Sequence, residues 1–129
     1  MPEKILTMKL LEGQYVVCRL DKNALFPEWA NSSDFFSITR TTDELSIVCP
    51  QDNIPGEVKC EKDWRVFKIE GPLDFSLIGI LAPISTILAT AGVSIFAVST
   101  FDTDYILVKN KDISCAVKAL GDKGYEITI

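Results

Sequence analysis

From residue 65 to residue 129, the spacing of apolar residues switches between the period of a strand and that of a helix, which narrows the possible folds. Phe67 and Ile69 alternate with charged neighbours, as in a half-buried strand. A run with helical i, i+3, i+4 spacing then begins at Leu77 and predicts a helix that ends before Gly92. The apolar face of this predicted helix consists of Leu77, Ile80, Leu81, Ile84, Ile87, Leu88 and Ala91.

The remainder of this half predicts a hairpin, a second helix and a last strand. Val93 to Thr100 and Asp104 to Lys109 are rich in β-branched and aromatic residues, and a short turn separates them. Asp112 is placed to begin a helix that Gly124 ends, and Tyr125 to Ile129 alternates again. The predicted order is therefore βαββαβ. This order is typical of the ferredoxin-like sandwich of the α+β class.

The first half predicts a shorter, β-rich copy of the same pattern. At an offset of 60, Phe35 to Val48 aligns with Ile95 to Val108, which brings Glu44 to the position of Asp104. The preceding strands align at an offset of 50, so the first copy lacks most of a helix. We interpret residues 1–62 as a truncated repeat and residues 63–129 as a complete unit. Two unrelated hairpins are the alternative interpretation.

Charge and composition exclude several classes of function. The net charge is −5, whereas nucleic-acid binding needs clustered Lys and Arg, so we expect no nucleic-acid partner. The sequence contains no histidine, which removes His-dependent catalytic arrangements and His-ligated metal sites. A Gly-rich phosphate loop is also absent. We therefore expect a protein that is not an enzyme and that holds no metal or cofactor.

The cysteines and the apolar segments indicate the cellular compartment in which we expect the protein. None of Cys18, Cys49, Cys60 and Cys115 forms a C-x-x-C pair, and we expect reduced, structural thiols. Residues 1–11 lack the apolar core of a signal peptide. The longest apolar stretch, from Leu77 to Ala91, is interrupted and too short to span a bilayer. We expect a cytoplasmic protein without a membrane partner.

Three segments resemble the ACT domain. They are Glu70 to Ile80, Ala91 to Val108 with its Ser99-Thr-Phe-Asp-Thr-Asp-Tyr105 run, and Phe35 to Cys49. The closer resemblance is to small bacterial proteins in which an ACT domain follows a shortened ACT-like repeat. Paired units of this kind also occur in animal arginine sensors and in the regulatory part of aspartate kinases.

The resemblance implies a regulatory module that binds an amino acid or another small ligand at an interface between two units. It also implies a stand-alone homodimer, and an uncovered sheet edge would favour such pairing. We expect a free amino acid as the partner, of unknown identity. The alternative is a ligand-free interaction module of the same fold that docks on a partner enzyme.

The first predicted binding segment is the loop before the first helix. Unpaired backbone N–H groups at a helix start favour an anion such as a carboxylate, and the resemblance assigns this loop to the ligand. Asp74 has an alternative role as a simple helix cap. Pro83 is expected to kink the helix. The loop residues are Gly71, Pro72, Leu73, Asp74 and Phe75.

The second predicted segment is the hairpin. Its backbone and side-chain oxygens would accept the ammonium group of the ligand, while Asp102 has an alternative role in the turn itself. The resemblance to the arginine sensors implies that Asp104 contacts the ligand's side chain. With Glu44 aligned to Asp104, a paired site would be acidic and would favour a cationic ligand. The hairpin residues are Ile95, Phe96, Ser99, Thr100, Asp102 and Asp104.

Overall fold

The computed structural model describes residues 6–31, 34–70 and 79–129. The chain divides into two compact units. Gly13–Trp64 form one, and Met1–Glu12 together with Arg65–Ile129 form the other. We call them the first unit and the second unit.

Strands predominate in the described residues. In chain order, they are β1 (Thr7–Leu10), β2 (Tyr15–Leu20), β3 (Ser37–Arg40), β4 (Leu45–Pro50), β5 (Lys59–Ile69), β6 (Ile95–Ser99), β7 (Asp104–Lys109) and β8 (Glu126–Thr128). The helices are α1 (Leu81–Thr90) and α2 (Ile113–Asp122), and short 3₁₀ turns occupy Glu28–Ala30, Gln51–Asn53 and Asn110–Asp112.

The first unit is a small antiparallel sheet with the strand order β3–β4–β2–β5. Residues of even and odd number alternate between its two faces, and one face carries the core of the unit. The buried side chains of this core are Val16, Cys18, Ala30, Leu45, Ile47 and Cys49. Trp29 and Phe36 pack against them. The β-rich first repeat is thus present, with no α-helix among its described residues.

A bulge in β5 marks the end of the first unit. Asp63 has a φ of 69°, the left-handed conformation that non-glycine residues seldom adopt. The side chain of Gln51 holds it there. Its Oε1 accepts the Asp63 N–H at 2.6 Å, and its Nε2 donates to Asp63 Oδ1 at 3.0 Å. The register between β2 and β5 shifts at the same point.

The second unit has the strand order β6–β7–β5–β1–β8. Both helices pack on one face of this sheet, and the predicted βαββαβ order of the ferredoxin-like sandwich is confirmed. Ile84 and Leu88 of α1 and Ala116 and Leu120 of α2 are fully buried against it. The sheet contributes Met8, Leu10, Phe67, Ile69, Ile106 and Val108 to the same core.

The sheet of the second unit contains strand β1 in addition to the four strands of the predicted βαββαβ unit. Strand β1 lies between β5 and β8, antiparallel to the first and parallel to the second. The sequence interpretation assigned residues 1–62 to the first repeat, whereas β1 pairs with strands of the second unit. The division after Trp64 lies two residues beyond the predicted boundary. Pairing between residues more than 100 positions apart is not visible in local spacing.

Helix α1 begins later than the apolar spacing indicated. Gly79 has a φ of 75°, which a helix cannot accommodate, so the predicted continuous face from Leu77 to Ala91 is wrong at its start. The N-cap is Ile80. Pro83 consequently lies in the first turn, where a missing N–H costs no helical hydrogen bond, and the predicted kink has no cause. Asp74 lies outside the described residues.

Candidate functional site

The hairpin of β6 and β7 is the described half of the predicted site. Ser99 pairs with Asp104 across the hairpin, and residues 100–103 form the turn. The Thr100 N–H donates to the Thr103 carbonyl at 2.8 Å. The Thr100 hydroxyl donates to the same carbonyl at 3.0 Å and accepts the Thr103 N–H at 3.3 Å. The turn is therefore closed by its own threonine side chain, as turn residues of this type commonly do.

Thr103 is the buried polar residue of this region. Its side chain is 5% exposed, and its Oγ1 donates a 2.6 Å hydrogen bond to the carbonyl of Ile69 at the end of β5. Glu70 follows, and its N–H donates to the Thr7 carbonyl at 2.8 Å. The hairpin turn is thus attached to the chain two residues before Gly71. Local spacing predicts only a short turn here and gives no signal for this bond, because its two residues are 34 positions apart in the sequence.

The structure places the predicted hairpin residues in different environments. Asp104 is half-buried beside this attachment, on the same face of β7 as the core residues Ile106 and Val108. Asp102 is exposed in the turn. Ser99 and Thr100 are also exposed, while Ile95 and Phe96 are half-buried. The predicted loop residues Gly71, Pro72, Leu73, Asp74 and Phe75 lie outside the described residues, so their role stays a prediction.

The hairpin of the first unit repeats the same turn. The Thr41 N–H donates to the Glu44 carbonyl at 2.9 Å, and the Thr41 hydroxyl contacts the same carbonyl at 3.4 Å. Thr41 Oγ1 also accepts the Glu44 N–H at 3.1 Å. The two halves share the strand order β3–β4–β2 and β6–β7–β5. These shared features support a duplication over two unrelated hairpins.

The repeated turn corrects the alignment by one residue. Arg40 pairs with Leu45 as Ser99 pairs with Asp104, so the structural offset is 59 instead of 60. Glu44 therefore corresponds to Thr103, and Asp104 corresponds to the buried Leu45. A shift of one residue moves every side chain to the other face of a strand. The inferred acidic pair of Glu44 and Asp104 was wrong.

An open groove lies on the outer side of the two helices of the second unit. It measures about 790 Å³, and its lining is mostly apolar or small, including Ala82, Pro83, Ile87 and Ala119. Asp122, the acidic residue in the lining of the groove, forms a salt bridge with Lys118, with 3.0 Å between Lys118 Nζ and Asp122 Oδ2. The groove does not include the hairpin. Neither α1 nor α2, nor any other helix in the described ranges, is long and apolar enough to cross a membrane.

Two family models match the chain. Residues 59–122 match the model of the ACT domain, and residues 13–57 match a model described as an N-terminal domain. The first match covers the helices and the hairpin of the second unit. The second match lies within the first unit, which agrees with the division of the chain into two parts.

Individual relatives extend this result. A protein from Agrobacterium tumefaciens whose crystal structure is known has a sequence 40% identical to this one. The two structures superpose with a TM-score of 0.91, and the match covers 97% of this chain and 93% of that chain. The cytosolic arginine sensor for mTORC1 subunit 1 of Rattus norvegicus is 33% identical over 99 residues, 70% of this chain. The chain spans only 30% of that relative's length. Part of the aspartate kinase of Clostridium acetobutylicum shares the fold, with a sequence identity of 15% and a TM-score of 0.66. The match covers 93% of this chain and 36% of the kinase chain.

Proposed function

Because this chain belongs to the ACT domain family of regulatory modules, we propose that it is a non-enzymatic sensor that binds a free amino acid. The site would lie between the segment beginning at Gly71 and the β6–β7 hairpin. The cytoplasmic location and the homodimer expected from the sequence belong to the same proposal. Its kinship with a cytosolic arginine sensor supports the class of ligand.

The hydrogen bond between Thr103 and Ile69 carries the proposal. It holds the hairpin against the end of β5, from which the chain leads directly to Gly71. The hairpin turn and Glu70, the last described residue before the predicted loop, therefore lie at one corner of the second unit, which supports a site there. Asp104, the next residue after Thr103, brings a half-buried carboxylate to this corner.

An amino acid has two charged groups on one carbon, and this corner offers complementary chemistry. Backbone N–H groups of the Gly71 segment would donate to the carboxylate as ordinary loop donors, because α1 begins only at Leu81 and its first N–H groups belong to a later part of the chain. Asp104 would take the ammonium group or a cationic side chain, because a charged hydrogen bond in a half-buried setting is stronger than one in water. Strand β6 would line the site beside β7, with which it pairs from Ile95–Val108 to Ser99–Asp104.

A thermal-shift screen of the standard amino acids tests the proposal. At about 100 times its dissociation constant, a ligand adds about 2.7 kcal/mol to the free energy of unfolding. In a domain of this size the melting temperature should rise by about ten degrees. Asp104→Asn should remove the shift given by a cationic amino acid. Glu44→Gln is the matched control and should retain it, because Glu44 corresponds to Thr103 and not to Asp104.

The competing function is a ligand-free module that docks on a partner enzyme. The apolar groove between α1 and α2 is the feature that favours it, because apolar grooves are common docking surfaces. No shift with any amino acid at millimolar concentration would favour this function over the sensor. A shift that survives in Asp104→Asn would leave the sensor in place but would contradict the assigned acid.

A further inference from the structure

Three of the four cysteines lie together in the core of the first unit. Cys18 and Cys49 belong to its buried cluster, with exposures of 1% and 0%, and Cys60 packs against that cluster from β5. Cys60 is half-buried and reaches solvent. The fourth cysteine, Cys115, is exposed on α2 of the second unit. The amino-acid site uses none of these residues.

The strand register makes Cys18 and Cys60 direct partners. They are opposite each other in the antiparallel pair of β2 and β5. Residues opposite each other in such a pair have Cα atoms about 4.5–5.5 Å apart, which falls within the range of about 4.4–6.8 Å found in disulfides. Cys49 lies diagonally from Cys18, because it pairs with Val16. The backbone register therefore favours a bond in the direct pair, while the thiols of the diagonal pair are also within hydrogen-bond reach of each other.

The thiols also interact electrostatically. A hydrogen bond between the thiols of Cys18 and Cys49 raises the pKa of Cys18 and lowers the pKa of Cys49, and burial adds to the rise at Cys18. The proximity of Cys60 also contributes to the raised pKa of Cys18. The described residues hold no group of three potential ligands arranged for a metal ion. Neighbouring thiols can undergo thiol–disulfide chemistry, and the strand register of Cys18 and Cys60 provides the pair.

We propose that Cys18 and Cys60 form a redox site, in which a peroxide converts the pair to a cross-strand disulfide. The peroxide first reaches Cys60, the more accessible thiol of the cluster. The Cys60 thiolate attacks one peroxide oxygen, which breaks the O–O bond and gives a sulfenic acid and hydroxide. The sulfur of Cys18 then attacks the sulfur of Cys60, and the S–O bond breaks as the S–S bond forms. The leaving hydroxyl takes the Cys18 proton as water, so two thiols lose two electrons and hydrogen peroxide becomes two waters.

Peptide mapping of the oxidised protein tests this site. Trypsin places the four cysteines on separate peptides, namely residues 10–19, 41–59, 60–62 and 112–118. The Cys115→Ser protein would be treated with excess hydrogen peroxide, alkylated with N-ethylmaleimide in denaturant and digested without reduction. We expect peptide 10–19 linked to peptide 60–62, and Cys49 alkylated. Dithiothreitol should release the link and restore three alkylated thiols.

Two variants provide controls. Cys60→Ser should abolish the linked peptide, and Cys49→Ser should retain it. A link between peptides 10–19 and 41–59 would overturn the proposal, because Cys49 would then be the partner. Separate alkylation or overoxidation of all three cysteines, with no linked peptide, would also overturn it. The mapping in the Cys115→Ser protein decides the question even if a variant within the core folds poorly.

Discussion

Thr103 and Ile69 are joined by a hydrogen bond of 2.6 Å from the threonine hydroxyl to the isoleucine carbonyl, across 34 positions of the chain. Both groups are shielded from water, since Thr103 is 5% exposed and Ile69 is fully buried. A buried carbonyl that loses its donor retains the full cost of desolvation. This one bond therefore connects the stability of the second unit to the position of the hairpin.

Thr103→Val should lower the free energy of unfolding by about 1–3 kcal/mol, because valine has nearly the same shape but cannot donate to the Ile69 carbonyl. Thr103→Ser should recover most of the loss. Urea unfolding followed by circular dichroism measures both. Thr42→Val is the control, since Thr42 is exposed in the turn of the other hairpin. Equal effects of the valine substitutions at positions 103 and 42 would contradict a special role for the bond.

The two threonine turns should be energetically equivalent if they are copies. Thr41→Ala and Thr100→Ala each remove a hydroxyl that bridges the ends of the same kind of turn. We expect each to lower the free energy of unfolding by about 0.5–1.5 kcal/mol, the usual net value of such hydrogen bonds. Urea titrations of the two variants should agree within error. A loss at one position with none at the other would contradict the energetic equivalence of the two turns.

The sequence predicted some elements to the residue and missed others for identifiable reasons. The bounds of β2 and β7 matched, because the alternation in β2 and the β-branched and aromatic residues of β7 are both local signals. The start of α1 was wrong, because apolar spacing continues through Gly79 while the backbone there turns left-handed. The pairing of β1 and the burial of Thr103 depend on residues far away in the sequence. The alignment of Glu44 with Asp104 failed by one position, which only the hydrogen bonds of the turns could correct.

The position of Pro83 gives a test of the helix start. Pro83→Ala should change the free energy of unfolding little, because a proline in the first turn of α1 breaks no helical hydrogen bond. Thr86→Pro places the same ring in the helix interior and should cost about 3 kcal/mol or more. Urea unfolding of both variants measures the contrast. A large stabilisation by Pro83→Ala would instead place Pro83 inside a longer helix.

Strand β6 gives the last prediction, which concerns assembly. Within the described part of the chain it pairs on one side only, and its residues Ile95–Ser99 carry no charge. The other edge strands differ, since β3 ends in Arg40 and β8 begins with Glu126. Charged residues protect a sheet edge against pairing, so β6 is the edge best suited to a second copy.

Light scattering at micromolar concentration should accordingly give a mass of twice 14.3 kDa. Ala97→Lys places a charge on an exposed position of β6 and should shift the protein toward the monomer. Thr39→Lys, on the exposed part of β3, is the matched control and should leave the dimer intact. A monomer mass for the unmodified chain would contradict the dimer. A dimer that resists Ala97→Lys but dissociates with Thr39→Lys would move the interface to the first unit.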